Sequence, residues 1–187
     1  STPIAVEGTI TVTRQWWDET WIDPAGREIQ FDQVIAMRRE YGIFPPPPQH
    51  GYRHPWRPVF RGYRSEKLTT EQVTTNEDGE AIFVFTAPRE GYYLIEWVSP
   101  DPPLAPVTAQ TAAWVTTQQT TDLGYHSEGI EIVVDTDTIE LGSAAPVMIS
   151  TSSSNRYVLF TIEGEELYEW QLIHITGSVK LLSIDVR

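Results

Sequence analysis

The chain has no cysteine and only two methionines in 187 residues. Disulfides, thiolate metal sites and a cysteine nucleophile are therefore excluded. Cations are scarce: 13 Lys and Arg stand against 26 Asp and Glu, for a formal net charge of −13. That balance argues against nucleic acid or an anionic membrane as a general partner, because phosphate binding rests on Lys and Arg. No apolar run approaches the roughly 18 residues that mark a membrane-spanning helix, so no membrane insertion is expected. The opening STPIAVEGTITV lacks the basic start and apolar block of a signal peptide. It reads as cytosolic or as a piece of something larger.

What is present is strand grammar. Hydrophobic residues at 40% and aromatics at 11% exclude a disordered chain. Residues 8–15 alternate Ile10 and Val12 with Thr9, Thr11 and Thr13, the pattern of a half-buried strand. Trp16, Trp17 and Trp21 follow, and Asp23-Pro24-Ala25-Gly26 turns the chain. Residues 27–41 match neither a clean helical stripe nor strict alternation, and read as a strand with a bulge. In residues 42–64 six prolines remove backbone donors and fix φ, so this stretch reads as a long surface excursion, not a central strand or a helix interior.

The stretch from Asn76 onward is more regular. Asn76-Glu77-Asp78-Gly79 is a turn signal. Residues 81–86 read as a strand, Pro88-Arg89-Glu90-Gly91 as a reversal and residues 92–98 as the returning strand of an antiparallel hairpin. Tyr93, Ile95 and Trp97 share one face of it, and a hairpin with one apolar face must pack on another layer. Residues 107–116 supply a further strand. The polar stretch 118–126 reads as a linker. Beyond it, residues 130–134, 146–151, 157–162, 167–175 and 180–186 read as five strands, with Gly142, Gly164 and Gly177 at turns.

The expected fold is all-β: two tandem antiparallel β-sandwich domains of immunoglobulin or fibronectin type. The first covers 1–117 with the excursion at 42–64, and its strands from Thr9 to Val115 suffice to close a full sandwich. The second covers 127–187 and is incomplete, with five strands where about seven are usual.

Candidate chemistry is sparse. His50 and His54 have an i, i+4 spacing that would suit zinc on a helix, but Pro48 and Pro55 flank them and an ordinary loop is the better reading. Asp135 and Asp137 offer oxygen ligands for calcium without the Gly-centred loop and closing Glu, so a solvated turn is favoured. Glu163, Glu165, Glu166 and Glu169 cluster around a hairpin turn, where charge serves solubility and protects edges more readily than acid–base catalysis. No Gly-x-Ser-x-Gly turn is present. No catalytic, cofactor or metal site is expected, and the chain reads as non-enzymatic.

Two side-chain groups remain. Trp16, Trp17, Trp21 and Trp56 would stack on sugars if exposed, which makes a carbohydrate-binding or adhesive module the alternative function; anchoring a core is the favoured role. Residues 38–67 hold seven cations, Arg38, Arg39, Arg53, Arg57, Arg61, Arg64 and Lys67, against two carboxylates. In so acidic a chain this island is expected to pack on its own domain or on an acidic neighbour, with Arg stems over aromatic rings.

The order Asp78-Gly79, Phe83 and Phe85, Gly91-Tyr92, Asp101 and Ala113-Trp114-Val115 resembles a macroglobulin-like domain of bacterial alpha-2-macroglobulins. Residues 130–135, Ile139-Glu140-Leu141-Gly142, Val147-Met148-Ile149-Ser150 and 159–164 resemble the start of the next domain, the one that carries the bait region. The resemblance covers about residues 70–187. It departs at Ile139-Glu140-Leu141-Gly142-Ser143, where the family has Tyr-x-Pro-Gly-Asp, and the thioester motif and a bait-like stretch are missing. The resemblance implies structural modules of a broad-spectrum protease-trapping inhibitor in the cell envelope or outside the cell. Their partners would be other domains of the same parent chain, with proteases the targets of the intact parent.

Overall fold

The computed structural model describes residues 5–47, 54–99, 106–136 and 138–186. It is an all-β fold of antiparallel sheets with one short helix. Its organising strand is β1 (Glu7–Ile22). One edge of β1 pairs along its whole length with β3 (Arg57–Thr74), from Glu7 opposite Thr74 to Ile22 opposite Arg57. The other edge is shared. Thr9 to Gln15 pair with β4 (Gly91–Ser99), and Trp21 and Ile22 pair with β2 (Glu28–Ile29). Outside β4 lies β5 (Val107–Val115), which completes a five-stranded sheet.

Three expectations need correction here. Residues 27–41 are not a bulged strand: after the two residues of β2 the chain forms helix α1 (Phe31–Tyr41). The Gln33 side chain accepts the Gln30 backbone N–H at 2.9 Å, closing the N-terminal end. Asp32 in the first turn and Arg38 and Arg39 in the last complement the helix dipole, and the Gly42 N–H bonds the Arg38 carbonyl as the helix stops. Val34 packs from α1 onto Trp21 and Ile29. Burial of that one turn against the sheet, with both ends capped, outweighs the weak apolar stripe.

Residues 81–86 do not pair with β4, whose two edges are taken by β1 and β5. They lie outside any ladder among the described residues, with Phe85 5.8 Å from the Tyr93 ring while Ile82 and Val84 are 91% and 82% exposed. The excursion at 42–64 also ends sooner than expected, because β3 begins at Arg57. Pro58 fits because β3 pairs with β1 alone among the described strands, and the register shifts beside it, between Thr20 and Trp21. The five N-terminal strands thus form one sheet, and the chain as a whole, built of several antiparallel sheets, is consistent with the expected all-β sandwich fold.

The second half contains the five strands read from the sequence. β6 (Ile130–Val134), β7 (Ala144–Thr151) and β10 (Val179–Asp185) form a three-stranded sheet with β7 central. β8 (Arg156–Glu163) and β9 (Leu167–Ile175) form a hairpin. Alternation along β7 explains how they stack. Ala145, Val147 and Ile149 face Val158, Phe160, Ile173 and Ile175 of the hairpin. Met148 points the other way and meets Leu123 and Val179, with Trp114 and Tyr125 against them. A strand covered on both faces reads as a continuous apolar run.

The stretch 118–126 runs between the halves in contact with both. Leu123 is buried, and the Thr121 carbonyl accepts the N–H groups of Ser178 and Val179 at 2.8 and 3.1 Å. Gly177 permits this approach: a Cβ there would lie 1.9 Å from the Thr121 oxygen. Gly177→Ala is therefore expected to break both bonds and lower the denaturant midpoint measurably, whereas Gly129→Ala, where a Cβ meets nothing within 4 Å, leaves it nearly unchanged. Equal midpoints for the two variants would contradict this account of the junction.

Candidate functional site

Strand alternation places Trp17, Glu19 and Trp21 on one face of β1. Glu19 has no solvent exposure, and an unpaired carboxylate there would be very costly. Its oxygens accept from the Trp17 and Trp21 indoles at 2.9 Å each and from Arg38 Nη2 on α1 at 2.8 Å, with Arg61 Nε of β3 at 3.8 Å. Burial by itself would raise the Glu19 pKa. The donors from Trp17, Arg38 and Trp21 and the charge of Arg38 outweigh it and hold the carboxyl below its ordinary value.

Trp17 extends this network toward the second half. Its ring stacks on His126 at 4.2 Å and meets Tyr63 edge-on at 5.5 Å. The Tyr63 hydroxyl accepts the His126 backbone N–H at 3.0 Å. The Trp17 backbone N–H donates to the Gly124 carbonyl at 2.7 Å, so residue 124 takes the stretch of β1 edge that lies between β4 and β2. Gly124 has φ +70 and a Cβ there would lie 2.5 Å from Trp16 Cβ. Tyr125 packs between Tyr92 and Trp114, and its hydroxyl donates to Glu131 at 2.7 Å. Burial and that carboxylate push the Tyr125 pKa up. Burial first, then Arg38 and Arg61 against an opposing Glu19, lower that of His126.

Beside this junction lies a cleft of about 650 Å³. Phe31, Ile35, Ile43 and Phe44 form an apolar wall, and Arg38, Arg39 and Arg156 bring positive charge. Thr121, Ser152, Ser153, Ser154 and Ser178 are among the residues that line the rest, together with Asp122.

The residues singled out in the sequence do not gather into one site. His50, Gly51, Tyr52 and Arg53 lie outside the described residues, as does Asp137, and His54 is exposed. Among the described residues no three His, Cys, Asp or Glu side chains form a metal-sized group. Asp135 is exposed, and so are Glu163, Glu165, Glu166 and Glu169 around the β8–β9 turn. The four indoles are engaged in packing: Trp21 is buried, Trp17 is stacked, Trp56 meets Phe44 at 5.2 Å, and Trp16 lies under Arg14. Arg38, Arg61 and Arg64 lie over Phe44, Trp21 and Phe60 and also pair with Glu19 or Asp18. Glu19, Gly124 and His126 were not singled out. A Trp-x-Glu-x-Trp strand was their available signal, since it sets a carboxylate between two indole donors on one face.

Comparison with family models, curated proteins and solved structures found no match to this chain.

The lowered pKa values of Glu19 and His126, with that of Asp23, which the Arg27 backbone N–H holds down, define a pH response. For His126 the stabilising contribution is full above its ordinary value of 6.5 and is lost as pH falls through the lower folded value. For Glu19 it is full above 4.5 and is lost on further acidification. The urea midpoint is expected to fall in two stages as pH drops. His126→Phe, which keeps a ring on Trp17, should remove the upper stage. Glu19→Gln should diminish the lower one, which Asp23 shares, and cost about 3–5 kcal/mol at neutral pH, because buried donors lose their charged acceptor. A midpoint flat between pH 7 and 4 would refute the assignment.

Proposed function

We propose that the chain is a non-catalytic structural part of a bacterial alpha-2-macroglobulin-like protease trap, acting in the cell envelope or outside the cell as a frame for other domains of its parent. The observation that carries this reading is the outer face of the β8–β9 hairpin. Tyr157, Leu159, Tyr168, Trp170 and Leu172 are each 62 to 68% exposed there, and apolar surface concentrated on one face marks a contact site. Ile130, Ile132 and Val134 of β6, paired with Thr151, Ile149 and Val147 of β7, are also largely exposed. A frame module needs such faces for its neighbours in the parent and a stiff junction within itself, which the Glu19 and Thr121 contacts provide.

A second reading, a carbohydrate-binding or adhesive module, draws on the same hairpin: Tyr157, Tyr168 and Trp170 are exposed aromatic rings on one strand pair, and sugars stack on such rings. It shifts the sugar platform away from the four N-terminal indoles.

One experiment separates the readings. Mixed with serine, cysteine and metalloproteases, the isolated chain is expected to leave their activity unchanged, while the intact parent traps them. Neither should respond to a glycan array. Stoichiometric inhibition by the isolated chain, a parent that traps no protease, or glycan binding abolished by Trp170→Ala would each overturn the frame reading.

A further inference from the structure

The cleft beside the junction carries positive charge in a chain whose net charge is −13. Arg38 is matched by Glu19. Arg39 on α1 and Arg156 at the start of β8 have no side-chain partner among the described residues, and Asp122 is the one carboxylate among the lining residues. The Asp122 carboxylate is itself engaged, accepting the Gly124 N–H at 2.7 Å. Two guanidinium groups thus line one cavity from different elements without a side-chain ion-pair partner among the described residues, against a single carboxylate, Asp122, on the lining.

Two further features point to a ligand of defined chemistry. Ser178 Oγ, on the cleft lining, is buried and has no hydrogen-bond partner among the described residues; a buried polar atom is normally satisfied. Phe31, Ile35, Ile43 and Phe44 give the same cleft an apolar part of its lining. At about 650 Å³ the space is within the range of small-molecule sites. Arginine is suited to carboxylates, which it meets with two parallel N–H donors.

We propose that this cleft binds an amphipathic carboxylate, whose acid group is held by Arg39 and Arg156 with the serine hydroxyls and whose apolar body lies on the Phe31 and Phe44 wall. The carboxylate comes from a free organic acid or from an acidic side chain of a polypeptide. The inference does not depend on the protease-trap reading, since none of the five exposed residues of the β8–β9 outer face lines the cleft.

The test is an NMR titration of the whole chain, following the amides of Gly124, Gly177 and Ser178. Probes are 3-phenylpropionate, its neutral amide, inorganic phosphate, and an amidated glutamyl-phenylalanine peptide acetylated at its N-terminus. Saturable shifts are expected with the acid, the peptide or both, and whichever binds more tightly identifies the source. Affinity should fall about tenfold or more in the double variant Arg39→Gln, Arg156→Gln, because charge-assisted hydrogen bonds are lost. Both side chains are exposed, so the fold is expected to survive, as a melting curve will check. Lys67→Gln, an exposed position in the middle of β3 outside the cleft lining, should bind as the unmodified chain does. The proposal is overturned by an absence of saturable shifts with both carboxylates, by equal binding of the neutral amide, by tighter binding of phosphate, or by undiminished binding in the double variant.

Discussion

A carboxylate without access to water governs the arrangement of the N-terminal half. Glu19 must find donors inside the protein, and the donors it finds come from three separate elements: Trp17 and Trp21 of its own strand, Arg38 of α1, and Arg61 of β3 at longer range. Each donor is itself packed. Trp21 sits with Ile29 and Val34, Trp17 against His126, and Arg38 over Phe44. Loss of any one contact leaves a buried charge short of a partner, so the helix, the sheet and the junction are fixed together.

The second unifying element is the edge of β1. Strand β4, residue 124 and strand β2 occupy it in succession, so one strand unites segments from most of the chain. The sheet is thereby tied to segments well beyond its own strands. Its aromatic end is covered by α1 and by the 121–126 stretch, and Met148 and Val179 of the other half complete the cover around Leu123 and Trp114.

The sequence was most legible where period and punctuation agreed. The five strands of the second half follow from short β-branched and aromatic runs separated by turns. Helix α1 was missed because its apolar residues form a weak stripe; its better signals were the Gln30 and Gln33 pair and the charges at its two ends. Residues 81–86 have every local mark of a strand and still join no ladder among the described residues. Pairing is a property of the edge on offer, and β4 had none left. The junction was hardest to read: in 118–126 a run of Thr and Gln hides the one buried Leu123 and the backbone carbonyls of Thr121 and Gly124, and carbonyls carry no sequence signal at all.

The shared edge of β1 has a consequence for the order in which the molecule comes into being. β1 lies near the start of the numbering, yet its neighbours arrive from residues 28–29, 57–74, 91–99 and finally 124. Contacts of such wide sequence separation form late, since loop closure must precede their reward. During synthesis the Trp17 to Trp21 face would wait with its carboxylate and indoles hydrated until the chain beyond residue 126 had emerged. The N-terminal sheet is thus a unit that its own residues begin and the other half finishes.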